Sequence, residues 1–136
     1  MNILVLCTGN SCRSQIAHGY LQAFLPLDTI YSAGIETHGV NPRAIQIMAE
    51  DSIDISQHTS NNVNDYLQIP FDYVITVCDN AKESCPYIPG GHTTIHHAFP
   101  DPAKAEGNEE EIMASFRSVR EEIRHFCEEL AQKLHA

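Results

Sequence analysis

The sequence predicts an α/β sandwich built around a parallel sheet, and three observations carry that prediction. Short β-type runs alternate along the chain with segments of helical spacing. One run, FDYVITVC at residues 71–78, is dense in aromatic and β-branched residues, the composition of a buried strand. Near the C-terminus, Ile112, Phe116, Val119, Ile123, Phe126, Leu130 and Leu134 recur in steps of three and four, one apolar stripe on a long helix.

Residues 2–7 form the first strand of this scheme. From Ser14 onward, Ile16, Ala17, Tyr20, Leu21, Phe24 and Leu25 repeat at helical spacing until Pro26 ends the run. Residues 29–32 make a short second strand that stops at Ala33-Gly34. Asn41-Pro42 pairs an N-cap residue with a proline at the first helical position, opening a helix to about Glu50. Residues 60–67 suit one or two helical turns. Residues 71–78 are the third strand and 93–98 a weaker fourth, so the sheet has four strands. Repeats and low-complexity linkers are absent from the sequence, and residues 1–136 are expected to form a single domain.

The stretch joining the first strand to the first helix carries the chemistry. Cys7-Thr8-Gly9-Asn10-Ser11-Cys12-Arg13-Ser14 is a C-x5-R-S loop directly after the apolar run Ile3-Leu4-Val5-Leu6. A strand, a tight loop and a helix N-terminus make the anion-binding geometry of open α/β sheets. The backbone N–H groups of Thr8, Gly9, Asn10, Ser11 and Cys12 can ring one oxyanion, with Arg13 closing the ring from the side. Gly9 supplies freedom for the turn, and Asn10 tolerates left-handed backbone angles. Amides, helix dipole and Arg13 converge on the Cys7 sulfur and favour its thiolate, and Ser14 can hydrogen-bond to it. A bare C-x5-R recurs by chance; the preceding strand, Gly9-Asn10 within and Ser14 before a helix set this one apart. Cys12 reads as a bystander thiol in the loop.

Composition narrows the partners. A formal charge of −10 disfavours nucleic acid and anionic membranes, so an anion site must be assembled locally from dipoles and one or two arginines. No apolar run reaches membrane-span length, and the first residues lack the basic region and cleavage site of a signal peptide, so a cytoplasmic protein is expected. Five cysteines without a secreted framework are reactive, metal-binding or core residues in a reducing compartment. A monomer is the expectation.

Two further cysteines sit close together: Cys78 ends the third strand and Cys85 follows after six residues. They are readable as core cysteines, as redox thiols, or with His92, His96 and His97 as a metal site. The spacing is not that of a zinc ribbon or finger, and no metal is expected. His96 and His97 are adjacent in a strand and face opposite ways, one exposed and one packed or bonded. Cys127 reads as marginal to the C-terminal stripe. Pro100-Asp101-Pro102 is by itself only a stiff turn.

Taken together, these motifs resemble those of low-molecular-weight protein tyrosine phosphatases and of the thioredoxin-coupled arsenate reductases built on the same fold. Ser14-Gln15 is similar to the reductases, whereas the phosphatases usually have proline after the serine. The stretches from Tyr31 to Pro42 (YSAGIETHGVNP) and from Asp54 to Ser60 (DISQHTS) are also similar to the reductases. The resemblance runs over nearly the whole chain. It implies a three-layer sandwich with strand order 2-1-3-4, which would bring Cys7 and Cys78 out side by side at the carboxyl edge of the sheet, strands lying ~4.8 Å apart.

The resemblance further implies Cys7 as nucleophile, Arg13 and Ser14 as its partners, Asp101 as proton donor to the departing oxygen, and arsenate as substrate. Cys78 and Cys85 would shuttle the oxidation, ending as a Cys78–Cys85 disulfide that external thioredoxin reduces. A helical connection would hold that pair ~10 Å apart along the axis, beyond the ~7 Å Cα separation a disulfide tolerates, so the segment must unwind. The tyrosines that follow Asp-Pro in the phosphatases are replaced by Ala103-Lys104, against an aromatic ester substrate. The alternative is a low-molecular-weight phosphatase with passive Cys78 and Cys85; weak phosphatase side activity suits either reading. Some related reductases hold potassium through an asparagine, a serine and two carboxylates. Asn10 and Ser32 match, but His18 and Asn61 stand at the acid positions, so a potassium site is doubtful and no cofactor is expected. A protonated His18 beneath Asn10 is the expected substitute.

Overall fold

The computed structural model describes residues 1–79, 88 and 90–135. Four strands, β1 (Asn2–Leu6), β2 (Thr29–Ala33), β3 (Tyr73–Thr76) and β4 (Thr93–His96), form one sheet in the order β2-β1-β3-β4. Every pair is parallel, with Leu6 opposite Ala33 on one side and opposite Thr76 on the other. The fold class and the strand order implied by the resemblance are those observed.

β1 is central and apolar from Ile3 to Leu6, as a parallel strand covered on both faces must be. Ile3 and Val5 enter a core with helices α1 (Arg13–Phe24), α2 (Pro42–Glu50) and α3 (Glu109–Leu134). Leu4 and Leu6 point the other way, into a smaller cluster with Ala33, Val63, Phe71 and Val74. A 3-10 turn at Val63–Tyr66 closes that second face, within the residues expected to hold one or two helical turns. β1, β3 and β4 are shorter than the sequence suggests, while β2 runs one residue longer; at β3 apolar residues continue past the last paired position, with Val77 and Cys78 buried beyond its end.

α2 begins as read, with the Asn41 side chain accepting from the Arg43 N–H and Pro42 in the first turn. α3 starts at a capping box, Asn108 and Glu111 each accepting the other's backbone N–H. Its buried line is Met113, Phe116, Val119, Ile123, Cys127 and Leu130. The expected stripe is displaced by one residue at two points, Met113 being buried in place of Ile112 and Cys127 in place of Phe126. Cys127 is fully buried, whereas Phe126 is only partly so, its ring lying 5.7 Å from Phe99 and 4.9 Å from His97. β4 is an edge strand and largely exposed, so neither adjacent histidine is in the core. His96 instead bonds Thr76 Oγ1 at 2.6 Å, and His97 stacks on Phe99.

No helix of the described residues is long and apolar enough to cross a membrane. Among the described residues, no group of three or more His, Cys, Asp or Glu side chains is placed to hold a metal ion.

Candidate active site

The loop between β1 and α1 opens into a cavity of about 410 Å³ at the carboxyl edge of the sheet. Cys7, Thr8, Gly9, Ser11, Cys12 and Arg13 line its base, and Ile35, Glu36, His38, Asp101, Ala103 and Lys104 its rim. The central strand points the loop there because β1 ends at Leu6 and the Cys7 N–H still pairs with Ala33 O at 3.2 Å. The ladder thus holds the cysteine at the root of the loop.

A chain of hydrogen bonds ends on the sulfur. Asn10 Nδ2 donates to Ser14 Oγ at 2.8 Å, and Ser14 Oγ lies 2.9 Å from Cys7 Sγ. A hydroxyl that accepts from an amide keeps its own hydrogen to give, so Ser14 is placed to donate to the sulfur whenever Cys7 carries a negative charge. Asn10 Oδ1 in turn accepts from the Asn61 N–H at 2.8 Å. Asn10, Ser14 and Cys7 are all buried, so the chain is shielded from competing water.

Asn10 takes the left-handed conformation, φ 46°, as its residue type suggests. Gly9 does not; its φ is not in that region, so turn freedom is not what it supplies. A Cβ at residue 9 would come within 2.6 Å of His38 Nδ1, so the glycine admits the His38 ring against the loop. Residues 36–41 are strapped to the loop by backbone bonds from Glu36 to Thr8, His38 to Gly9 and Asn41 to Ser11. His38 Nε2 lies 2.7 Å from Glu36 Oε2 in an exposed contact on this strap. The sequence reading named neither residue as a site element.

Arg13 is 4% exposed, donates to Phe99 O at 3.3 Å, and stands 3.7 Å from Asp101 Oδ2. Asp101 Oδ1 accepts from the Ala103 N–H, which fixes the carboxylate at the start of a 3-10 turn, Pro102–Lys104. The stiff Pro-Asp-Pro turn therefore does face the loop. Cys12 lines the cavity, but burial and the nearby Asp101 raise its pKa, so its thiol stays protonated. Burial does the same to Cys127.

Cys7, Cys12 and Cys127 are free thiols, whereas Cys78 is buried and disulfide-bonded. The Val77 N–H donates to Leu6 O at 3.0 Å, so the chain around Cys78 leaves the sheet beside the chain around Cys7. Cys85 and the shuttle segment ahead of it lie outside the described residues.

The expectation for His18 is overturned. Its Nδ1 bonds Ser32 Oγ at 2.8 Å and its ring lies 4.3 Å from that of His58, rather than beneath Asn10. Burial, with the second histidine beside it, lowers its pKa to about 4, so at neutral pH the ring carries no charge. The set of Asn10, Ser32, His18 and Asn61 does not fit a monovalent cation. Asn10 Oδ1 holds the Asn61 N–H, Asn61 Oδ1 accepts from Thr59 Oγ1 at 2.7 Å, Ser32 is bonded to His18, and none of the four is a carboxylate.

The arrangement suits nucleophilic attack by a cysteine on a small tetrahedral oxyanion, with an arginine to hold charge and a carboxyl to hand over a proton. Known proteins of this kind match the chain closely. Residues 2–136 fit the model of the low molecular weight phosphotyrosine protein phosphatase family. An arsenate reductase of Halalkalibacterium halodurans is 50% identical over 122 residues, covering 89% of this chain and 88% of that protein. An arsenate reductase of Bacillus subtilis is 45% identical over 131 residues, 96% and 94% of the two chains. Among solved structures, an arsenate reductase in the phosphate binding state superposes with a TM-score of 0.80 at 28% identity over 97% of each chain. The chain belongs to the low molecular weight phosphotyrosine protein phosphatase family, on its arsenate reductase side.

Proposed function

We propose that this protein reduces arsenate to arsenite through a relay of three cysteines, with thioredoxin as the external reductant, for arsenic detoxification in the cytoplasm. The observation that carries the reading is the exit of Cys7 and Cys78 from adjacent, hydrogen-bonded strands. The names of relatives 45–50% identical over most of the chain support the substrate.

In this mechanism arsenate lies in the ring of loop amides from Thr8 to Cys12, its charge held by Arg13. The Cys7 thiolate attacks arsenic, and Asp101 protonates the oxygen that leaves as water. Cys78, once the disulfide it carries in this structure has been reduced, attacks the Cys7 sulfur as a thiolate. The sulfur–arsenic bond breaks with its electron pair passing to arsenic, so arsenite departs and a Cys7–Cys78 disulfide remains. Cys85 attacks Cys78, frees Cys7, and leaves a Cys78–Cys85 disulfide for the thioredoxin dithiol to reduce. Two electrons reach arsenic and two thiols are oxidised, so the step balances.

The test is arsenate-dependent NADPH oxidation with thioredoxin and its reductase, set against phosphate release from an aryl phosphate. Arsenate-dependent oxidation is expected. Efficient ester hydrolysis without it would make the protein a phosphatase in which Cys78 and Cys85 are passive. Cys85→Ser is expected to release about one arsenite per enzyme and then stop, oxidised at Cys7 and Cys78. Sustained turnover by that variant sinks the three-thiol relay.

The reaction uses no resident cofactor in this reading, the neutral His18 network standing where a cation would be needed. Exchanging potassium for sodium at constant ionic strength is expected to leave kcat/KM unchanged within roughly twofold, since screening is then the same. A strong activation specific to potassium would contradict it.

A further inference from the structure

Gln15 is the one polar side chain of the first helical turn that the proposed mechanism leaves without a task, and it is completely buried. Its Nε2 donates to Asn10 O at 3.1 Å and to Thr59 O at 3.0 Å. Two carbonyl acceptors fix the amide orientation, because a flipped amide would set its oxygen against both. Oε1 therefore faces His58 Nδ1, 3.0 Å away, and His58 must donate from that nitrogen. The His58 ring is held in turn against His18, which is anchored on Ser32. Burial lowers the pKa of both rings, consistent with a neutral pair.

Asn10 is the residue on which these contacts converge. It alone in the loop is left-handed, a conformation that an L-residue holds only when its surroundings insist. Gln15 grips its carbonyl from one side, and the Asn61 N–H takes its side-chain oxygen from another. What remains of its side chain, the Nδ2 group, points at Ser14 and through it at the Cys7 sulfur.

We infer that Gln15, clamped by His58, is a positioning residue for the reaction at Cys7: it locks Asn10 in its left-handed geometry and so aims the Ser14 hydroxyl and the loop amides. The inference rests on the reading of this loop as the oxyanion site with Cys7 as nucleophile. Gln15 touches neither substrate nor sulfur; it acts through Asn10. The task is different from that of a packing residue, because its three bonds join the loop to residues 58 and 59, more than forty positions along the chain.

The test uses inorganic phosphate as the probe, so that it does not depend on arsenate reduction. Phosphate protection of Cys7 from iodoacetamide, read at Cys7 by mass spectrometry, reports loop geometry directly. Gln15→Met keeps the volume and removes every hydrogen bond; Gln15→Glu keeps the acceptor and turns oxygen toward two carbonyls. Both are expected to weaken phosphate protection by about tenfold or more, as small misplacements of a binding loop do. His58→Leu should follow them, while His58→Asn, whose amide can donate from nearly the same point, should stay close to the wild type.

Wild-type phosphate affinity and Cys7 alkylation in Gln15→Met would overturn the inference. So would a lowered melting temperature with phosphate affinity unchanged, since that is packing alone. Should Gln15→Met not fold, the His58→Leu and His58→Asn pair decides: equal phosphate protection in the two rejects the clamp. If the wild-type protein binds phosphate yet never reduces arsenate, the reductase reading fails while the phosphate comparison still judges Gln15.

Discussion

Cys7→Ser is expected to abolish arsenate reduction completely, single turnover included, while the variant still folds and still binds inorganic phosphate. The loss is total because the reaction is a reduction. Arsenic gains two electrons, and the chain supplies them by joining two sulfurs; an oxygen at position 7 cannot enter that disulfide. Binding survives because the anion is held by backbone amides and by Arg13, which is 96% buried and fixed by Phe99 and Asp101. Serine also keeps a hydroxyl within reach of Ser14 in a site that is 2% exposed, so the packing changes little. Asp101→Asn makes the contrast. It removes a proton donor from one step and should slow turnover by roughly 10²–10⁴-fold rather than end it. The measurement is quenched-flow or stoichiometric arsenite release per enzyme, paired with phosphate binding. Any arsenite from Cys7→Ser above background would mean that another thiol starts the reaction, with Cys12, which lines the same cavity, the first candidate.

Much of this site is local in sequence, and that part was legible. The strand, the loop and the helix start follow one another within Asn2–Phe24, so hydrophobic pattern and residue types sufficed. The left-handed Asn10 followed from its side chain, and the Asp101 turn from its prolines. What could not be read depends on chain segments meeting from far away. Gln15 served the sequence reading only as a mark of resemblance, because Thr59 and His58 are its partners only after folding. His38 and Glu36 carry no signal until residues 36–41 lie along the loop. His18 was expected to be charged because the chain there lacks an acid, but charge is decided by burial, and the ring is enclosed with a second histidine at 4.3 Å. Cys127 and Phe126 are neighbours on a helix of 26 residues, and by spacing and size alone the sequence favours Phe126 for the stripe although Cys127 is the buried one. Which one turns inward is settled by His97 and Phe99, which accept the Phe126 ring at the surface.

Gly34→Ala should be the most damaging single-methyl change near the site. The sequence marks Gly34 only as the end of a strand, yet its place is under the loop. An added Cβ would lie 2.5 Å from Thr8 O, 2.8 Å from Cys7 O and 2.9 Å from Asn10 N, all of them backbone atoms. Residue 34 cannot retreat, because its N–H is bonded to Asn61 O at 2.9 Å and its carbonyl to the Val63 N–H at 2.8 Å. The loop must move instead, carrying Cys7 and the left-handed Asn10 with it. Overpacking of this kind costs about 1–3 kcal/mol of stability, and a displacement near 1 Å at the reacting groups costs kcat/KM on the order of 10²-fold. Two other glycines supply the scale. Gly9→Ala meets the exposed, movable ring of His38 first, so it should cost less than Gly34→Ala. Gly39→Ala faces open space at φ +77° and should cost only the backbone strain of about 1–2 kcal/mol, with the loop undisturbed. Urea unfolding and phosphate protection of Cys7, measured on all three, separate strain from displacement. Only Gly34→Ala should lose phosphate binding beyond what its stability accounts for, and a Gly34→Ala protein that protects Cys7 as well as Gly39→Ala does would show that the loop is not seated on Gly34.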